Sequence, residues 1–98
     1  MDIKFANEVW YWRGPSPFHF VTVPEVQSLR ILKVSKLITY GWGAIPALAK
    51  IGHTKWETSI FPKDGLYLVP LKKMVRAAEN IELGDIVNVE LFLDNSRR

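Results

Sequence analysis

The sequence contains no cysteine and only two histidines, and this scarcity excludes several kinds of chemistry. A chain without cysteine forms no disulfide, binds no zinc or iron–sulfur cluster through sulfur, and offers no thiol nucleophile. His19 and His53 lie in separate segments, and neither has a His-x-x-His or His-Glu-x-x-His spacing. We therefore expect no metal site and no cofactor.

Long apolar runs are also missing. No window approaches the roughly 18 uncharged apolar residues that a membrane-spanning helix needs. Residues 1–4 alternate charged and apolar side chains instead of beginning an apolar signal sequence. We expect a soluble, cytoplasmic protein that has no membrane partner.

The charge of the chain is nearly balanced. Its 13 lysines and arginines against 10 aspartates and glutamates give +3, which neither demands a nucleic-acid partner nor excludes one. With 98 residues, 48% of them hydrophobic, the chain suits one packed domain and not a disordered segment. We expect residues 1–94 to form this domain and residues 95–98 a flexible tail, in a monomer or a homodimer.

Alternation of apolar and polar residues predicts that most of the chain is β-strand. Prolines and glycines separate the alternating segments, as in the turns at Gly52-His53 and residues 62–65. The predicted strands are 3–12, 18–22, 44–51, 54–61, 66–69 and 86–93. An antiparallel sheet of about six to seven strands in so short a chain closes most economically as a small barrel.

Two short α-helices are predicted to cap this barrel. Thr22 and Glu25 have the spacing of a capping box with Pro24 in the first turn. The apolar face of the helix that follows is predicted to comprise Val26, Leu29, Leu32 and Leu37.

The second helix is predicted to open at Pro70, and Asn80 is a plausible left-handed residue at its end. Its apolar face is predicted to comprise Leu71, Met74, Val75 and Ala78, which have helical spacing.

Aromatic residues are abundant, with four Trp, three Tyr and five Phe. Because large side chains fill the thin interior of a small barrel, we expect Trp10 and Trp56 to be core residues. Trp42 stands between two glycines and is the better candidate for a ligand or stacking site. The predicted ligand-binding residues combine aromatic side chains with a hydroxyl and an arginine: Trp42, Trp56, Thr58, Tyr67 and Arg76.

No catalytic constellation is recognisable in the sequence. Ser59 lacks both a Gly-x-Ser-x-Gly elbow and an identifiable base. Basic residues form two groups, which we interpret as solvated helix faces, with an anionic ligand or nucleic acid as the functional alternative. The groups are Arg30, Lys33, Lys36 and Lys72, Lys73, Arg76. Arg76 is also well placed to turn toward a carboxylate such as Asp85.

Several segments in order carry a resemblance to a known family. They are Trp10-Tyr11-Trp12, Phe20-Val21-Thr22-Val23-Pro24, Gly41-Trp42-Gly43-Ala44-Ile45-Pro46, residues 51–62 with their Trp-x-Thr-Ser-x-Phe-Pro motif, Gly65-Leu66-Tyr67-Leu68-Val69-Pro70, Val75-Arg76 and Gly84-Asp85-Ile86-Val87. This pattern resembles the bacterial domain-of-unknown-function family 1905 over essentially the whole chain. The resemblance implies a double-split β-barrel capped by helices and no established activity.

A second similarity runs from Leu68 to Val89. The order of strand, Pro70, short helix with Arg76, Gly84-Asp85 and strand is similar to the half-barrel of AbrB/MazE-type transcription factors. Those proteins bind DNA as dimers in which two chains complete one barrel, whereas this chain has enough strands to close a barrel alone.

We therefore expect a non-enzymatic β-barrel that binds a ligand or partner, such as a small anionic or aromatic molecule. One alternative is a nucleic-acid-binding or transcription-associated protein, motivated by the AbrB/MazE-like order and the net charge of +3. The other is a small-molecule enzyme in which Ser59, His53 or the carboxylates converge in a cleft.

Overall fold

The computed structural model describes residues 2–38 and 43–93. The elements in chain order are β1 Asp2–Trp12, β2 Phe18–Val23, α1 Glu25–Ile38, β3 Ile45–Ile51, β4 Thr54–Lys63, β5 Leu66–Pro70, α2 Lys73–Ala78 and β6 Ile86–Phe92. All six strands pair antiparallel in one closed barrel with the order β1-β2-β5-β4-β3-β6. The prediction of a mainly β barrel with two short helices is confirmed.

Two long strands give the barrel its split form. Residues 2–8 of β1 pair with β6, and residues 9–12 pair with β2. In the same way, β4 pairs with β3 over residues 54–60 and with β5 over residues 61–63. Each long strand therefore belongs to two sheets, and the barrel closes because both strands change partners along their length.

Aliphatic side chains fill the interior of the barrel. The inward row of β6 is Val87, Val89 and Leu91, as the alternation predicts, and all three are buried. Small residues on β3, Ala47 and Ala49, stand opposite larger ones on β4. Most of the buried cluster consists of isoleucine, valine and leucine, so branched aliphatic packing holds the barrel together.

The two tight hairpin turns differ in type. Gly52 has a φ of +59° while His53 has no positive φ, as a type II′ turn requires, and this confirms the predicted Gly52-His53 turn. The second turn is shorter than predicted, because β4 continues through Pro62 to Lys63. Its two turn residues, Asp64 and Gly65, both have positive φ, which is the type I′ pattern that favours Asp-Gly.

Ser28 fixes helix α1 to the barrel. Its buried hydroxyl donates to the carbonyl of Val23 at 2.9 Å and accepts from the Tyr67 amide at 3.1 Å. Ser28 therefore satisfies backbone groups at the ends of β2 and β5 that would otherwise be buried without partners. The helix starts after Pro24, whose carbonyl accepts from the Ser28 amide. The predicted cap at Thr22 is wrong, since Thr22 belongs to β2.

The apolar face predicted for α1 is also wrong. Val26 and Leu29 are 69% and 50% exposed, and Leu32 is exposed as well. The helix instead turns Ser28 and Ile31 inward, one turn apart. The hydrogen bonds of Ser28 set this rotation, and Leu29 and Leu32 lie on a different side of the helix as a result, whereas the side chain of Leu37 lies outside the described residues.

Helix α2 is shorter than its predicted apolar pattern. Pro70 ends β5 opposite Phe20, so the helix begins at Lys73. Leu71 precedes the helix and is buried, while Val75 is the buried residue within it and Met74 is exposed. Asn80 has a φ of +53°, which confirms the predicted left-handed residue. Neither described helix is long and apolar enough to cross a membrane.

Candidate functional site

An aromatic surface covers the outside of the β1–β2 hairpin. The register pairs Trp10 with Phe20 and Trp12 with Phe18. Because successive side chains point to opposite faces, these four residues share one face. The other face carries Val9 and its partner, both buried in the core. The four rings therefore lie on the outer wall, and we call them the aromatic face.

The rings of the aromatic face are contiguous. Trp10 and Phe20 have ring centroids 5.6 Å apart, and Phe20 lies 5.8 Å from Phe18. Trp12 lies 6.3 Å from both Trp10 and Phe20. The rings are tilted or edge-on to one another. All four side chains are also partly or largely exposed to solvent.

A buried leucine lies beside this face, outside the barrel core. Leu68 pairs with Thr22 on one side and Phe61 on the other, in the outward row of β5. It is only 5% exposed, although it does not belong to the buried core cluster. Phe61 itself is 43% exposed. The apolar surface thus continues from the hairpin across β5 to β4.

Specific contacts hold the two tryptophans in place. The Nε1 of Trp10 donates to the hydroxyl of Thr22 at 2.9 Å. The indole of Trp12 lies against Gly14, where an added Cβ would collide with the ring. The ammonium of Lys63 stands 4.7 Å from the Trp12 ring centroid, at cation–π distance.

Cations border the aromatic face. Arg13 follows Trp12 directly and is exposed. Lys72 is exposed and lies two residues after Pro70, which pairs with Phe20. Lys63 completes the group, with Asp64 3.5 Å from its Nζ. Three cations therefore stand near the aromatic face, with Asp64 and Glu8 as acidic neighbours, Glu8 lying two residues before Trp10 on β1.

The expectation that Trp10 lies in the core is wrong, whereas that for Trp56 is correct. Trp10 is half-buried on the outer wall, and Trp56 is 4% exposed inside the barrel. The signal for the aromatic face was present in the sequence. Trp10 and Trp12 are two residues apart, and so are Phe18 and Phe20, so a hairpin had to place each pair on one face.

The inward row of the same hairpin ends in a polar group. The rings of Tyr11 and His19 meet edge to face at 4.9 Å. The His19 carbonyl accepts from the Leu71 amide at 2.9 Å, and the Leu71 carbonyl accepts from Nε of Arg76 at 3.5 Å. Burial, and secondly the charge of Arg76, hold the pKa of His19 below its usual 6.5.

The structure brings together only some of the predicted ligand-binding residues. Trp56 and Thr58 share the inward row of β4 opposite two alanines. Tyr67 is buried at the α1 end of β5, where its amide meets Ser28. Arg76 lies beyond the other end of β5, on α2. Trp42 lies outside the described residues, so ligand binding by this set stays a prediction.

Two side chains of this set have unused donors. Nε1 of Trp56 is buried and has no hydrogen-bond acceptor among the described residues. Arg76 forms no ion pair in the described part of the chain, so the predicted pairing with Asp85 is wrong. The Asp85 carboxylate instead accepts from the Glu82 amide at 2.8 Å, within its own turn.

A carboxylate that sequence reasoning missed joins α2 to the β3–β4 turn. Oε2 of Glu79 accepts from the Thr54 hydroxyl at 2.6 Å and from the His53 amide at 3.2 Å. The hydrogen bond from Thr54 is the main cause that lowers the pKa of Glu79. Glu79 also leaves no room for a side chain at Gly52. This contact is structural, since it fastens the helix to the barrel end.

A polar groove lies on the wall formed by β1, β6 and β3. It is open, has a volume of about 470 Å³, and includes Lys4, Lys50, Asn88 and Glu90 in its lining. Glu90 stands opposite Lys4 on one strand and Lys50 on the other, and Lys4 is 3.9 Å from it. The charges of the groove therefore compensate one another across the three strands.

The residues proposed for catalysis do not converge. Ser59 and Thr54 are five residues apart on β4, which corresponds to about 17 Å of extended chain. Thr54 adjoins the turn that contains His53, so Ser59 lies far from His53. Within residues 2–38 and 43–93, no three His, Asp or Glu side chains are grouped so that they could hold a metal ion.

Comparison with models of protein families gives a match over most of the chain. The family model described as a domain of unknown function (DUF1905) matches residues 5–91, a range that includes all of the aromatic face. A search of curated proteins gives no match. The match confirms the resemblance to family 1905 over most of the chain.

Proposed function

The chain belongs to the DUF1905 family, whose description assigns no activity, and from the barrel geometry we propose a non-enzymatic binding module whose working surface is the aromatic face. One observation carries the proposal: Trp10, Trp12, Phe18 and Phe20 form a contiguous, partly exposed cluster on the outer wall. Aromatic residues are enriched where proteins bind partners and ligands.

The position of the cluster supports a role in binding over one in stability. The barrel closes through aliphatic packing, to which the four outward rings do not belong. An exposed apolar patch on a small protein commonly marks an interaction site. Trp56 and Tyr67, by contrast, are buried in the core and offer a ligand little surface.

An NMR fragment titration tests the proposal. Indole, adenosine and p-cresol are added separately to the ¹⁵N-labelled protein, and the indole signals of the tryptophans are followed. We expect the largest shifts at Trp10 and Trp12 and in the backbone near Phe20, and weaker binding in Trp12→Ala. Shifts centred on Trp56 or on β3 and β6, or no shifts at all, would overturn the proposal.

A small-anion site at Arg76 is a second candidate. The guanidinium donates through Nε to Leu71 and has no carboxylate partner in the described residues, and His19 lies close by. Inorganic phosphate added to the protein is expected to shift the ring signals of His19 at millimolar concentrations. The same titration of Arg76→Gln is the control, and equal shifts in both proteins would contradict this candidate.

A further inference from the structure

We propose that the aromatic face binds single-stranded nucleic acid, with bases stacked on its rings and phosphates held by the bordering cations. This inference rests on the proposed function, because it names the occupant of the same surface. The observation behind it is the combination of four contiguous rings with three exposed basic residues at their edge. Single-stranded nucleic acids are bound by such aromatic platforms beside basic side chains.

The charges of the neighbourhood favour a polyanion. Arg13, Lys63 and Lys72 border the face, and the nearby Asp64 is within ion-pair distance of Lys63. Glu8 is the acidic residue nearest along β1, and it lies two residues before Trp10 in the same outward row. A neutral or basic peptide would gain nothing from these cations, whereas the phosphates of a nucleic acid pair with them.

Lys63 is positioned to change partners on binding. In the free protein its ammonium stands over the Trp12 ring, where a stacked base would lie. The side chain is 41% exposed and flexible, so a base can displace the ammonium from the ring. The displaced ammonium would then meet a phosphate, and this exchange joins stacking and charge pairing in one event.

The same face predicts binding with little sequence preference. Nε1 of Trp10 already donates to Thr22, and Nε1 of Trp12 lies against Gly14. The Trp10 donor is therefore engaged and does not read a base edge. Stacking uses the π-face that every base has, so it tolerates any sequence. A duplex hides these faces, and we expect it to bind more weakly than a single strand.

Fluorescence anisotropy with a labelled oligothymidylate tests the inference across a series of salt concentrations. We expect binding at low salt that weakens as salt rises, and about tenfold or greater loss in Trp12→Ala. Trp12→Phe keeps a stacking ring and is expected to retain most of the affinity. Lys63→Gln is expected to reduce the salt slope by about one, whereas Lys50→Gln on the polar groove leaves it unchanged.

Three results would overturn the inference: no binding at low salt, equal affinity for the duplex, or equal affinity in wild type and Trp12→Ala. Thermal melts show whether each variant is folded, and the salt slopes of Lys63→Gln and Lys50→Gln carry the test if Trp12→Ala is not, with equal slopes contradicting the inference. If the fragments bind the aromatic face but the oligonucleotide does not, the nucleic-acid inference fails while the proposed function stands. Concentration-dependent self-association through this face, measured by light scattering, would assign it to a second copy of the chain instead.

Discussion

The interior of the barrel and the aromatic face of the β1–β2 hairpin use tryptophan in opposite ways. Trp56 is 4% exposed and stands opposite Ala49, in a core otherwise rich in aliphatic residues. Trp12 lies on the outer wall beside three other rings, against Gly14 and under Lys63. The two residues have the same side chain and differ in which face of a strand they occupy.

This difference shows that the aromatic content of the chain serves two purposes. Trp56 fills space beside Ala49, the small residue opposite it, and its removal would leave a cavity. The hairpin aromatics lie outside the closed barrel, where they contribute surface more than packing. Changes inside the barrel should therefore act on stability, and changes on the aromatic face should act first on binding.

The largest effect on the free energy of unfolding is expected for substitution of Trp56. Trp56→Ala should lower the free energy of unfolding by about 3–5 kcal/mol, because it empties a large buried site. Urea denaturation measures the change. Trp56→Phe should be clearly milder, since Nε1 of Trp56 has no acceptor among the described residues and the variant retains a ring. Equal losses in the two variants would show that the buried indole donor has a partner after all.

An intermediate effect is expected for Trp10. Trp10→Ala should cost about 1–2 kcal/mol, because it removes a half-buried ring and the hydrogen bond to Thr22. The same denaturation assay applies, with Thr22→Val as the variant that removes the hydrogen bond alone. A loss as large as that of Trp56→Ala would erase the distinction between the aromatic face and the interior.

A smaller effect on stability is expected for Lys63. Lys63→Met removes an exposed cation–π contact and should cost about 0.5–1 kcal/mol. A double-mutant cycle with Trp12→Leu separates this contact from the ion pair with Asp64. A coupling energy of zero between Lys63 and Trp12 would mean that the ammonium does not rest on the ring in solution.

The smallest effect is on a pKa, at the polar end of the hairpin. Arg76→Gln should raise the pKa of His19 toward 6.5, because it removes a nearby positive charge. NMR titration of the ring signals measures this directly. An unchanged pKa in the variant would leave burial as the sole cause of the depression.

The same pKa gives a pH dependence of stability. A histidine whose folded pKa is lowered takes up its proton more readily in the unfolded chain. His19 therefore destabilises the fold as pH falls below its unfolded value of 6.5, until the folded form is also protonated. Between about pH 7.5 and pH 5, wild type should lose more stability than Arg76→Gln.

The strands and turns of the barrel were largely predictable. Period-two alternation identifies the inward row of β6, and the Gly52-His53 turn follows from the dihedral that glycine permits. The helices were less predictable, because helical spacing alone does not say which residues face the barrel. In α1 the orientation of the helix on the barrel is set by Ser28, which bonds to Val23 nearby and to Tyr67 39 residues away.

The candidate site was only partly predictable for a related reason. Alternation groups Trp10 with Trp12, and Phe18 with Phe20, but it does not say whether a face points in or out. That choice depends on the opposite face, where Val9 and Val21 pair in the core. The contact between Lys63 and Trp12 joins two residues 51 positions apart, and no local pattern encodes it.

The sequence by itself determined that the chain forms antiparallel strands with tight turns, that it has no cysteine chemistry, and that aromatic residues are concentrated in its first twenty positions. These properties are local, because they follow from side-chain type, alternation and backbone dihedrals. Only the tertiary structure decided which aromatics became core and which became surface. Barrel closure selects one face of each strand for burial, and that selection requires all six strands together.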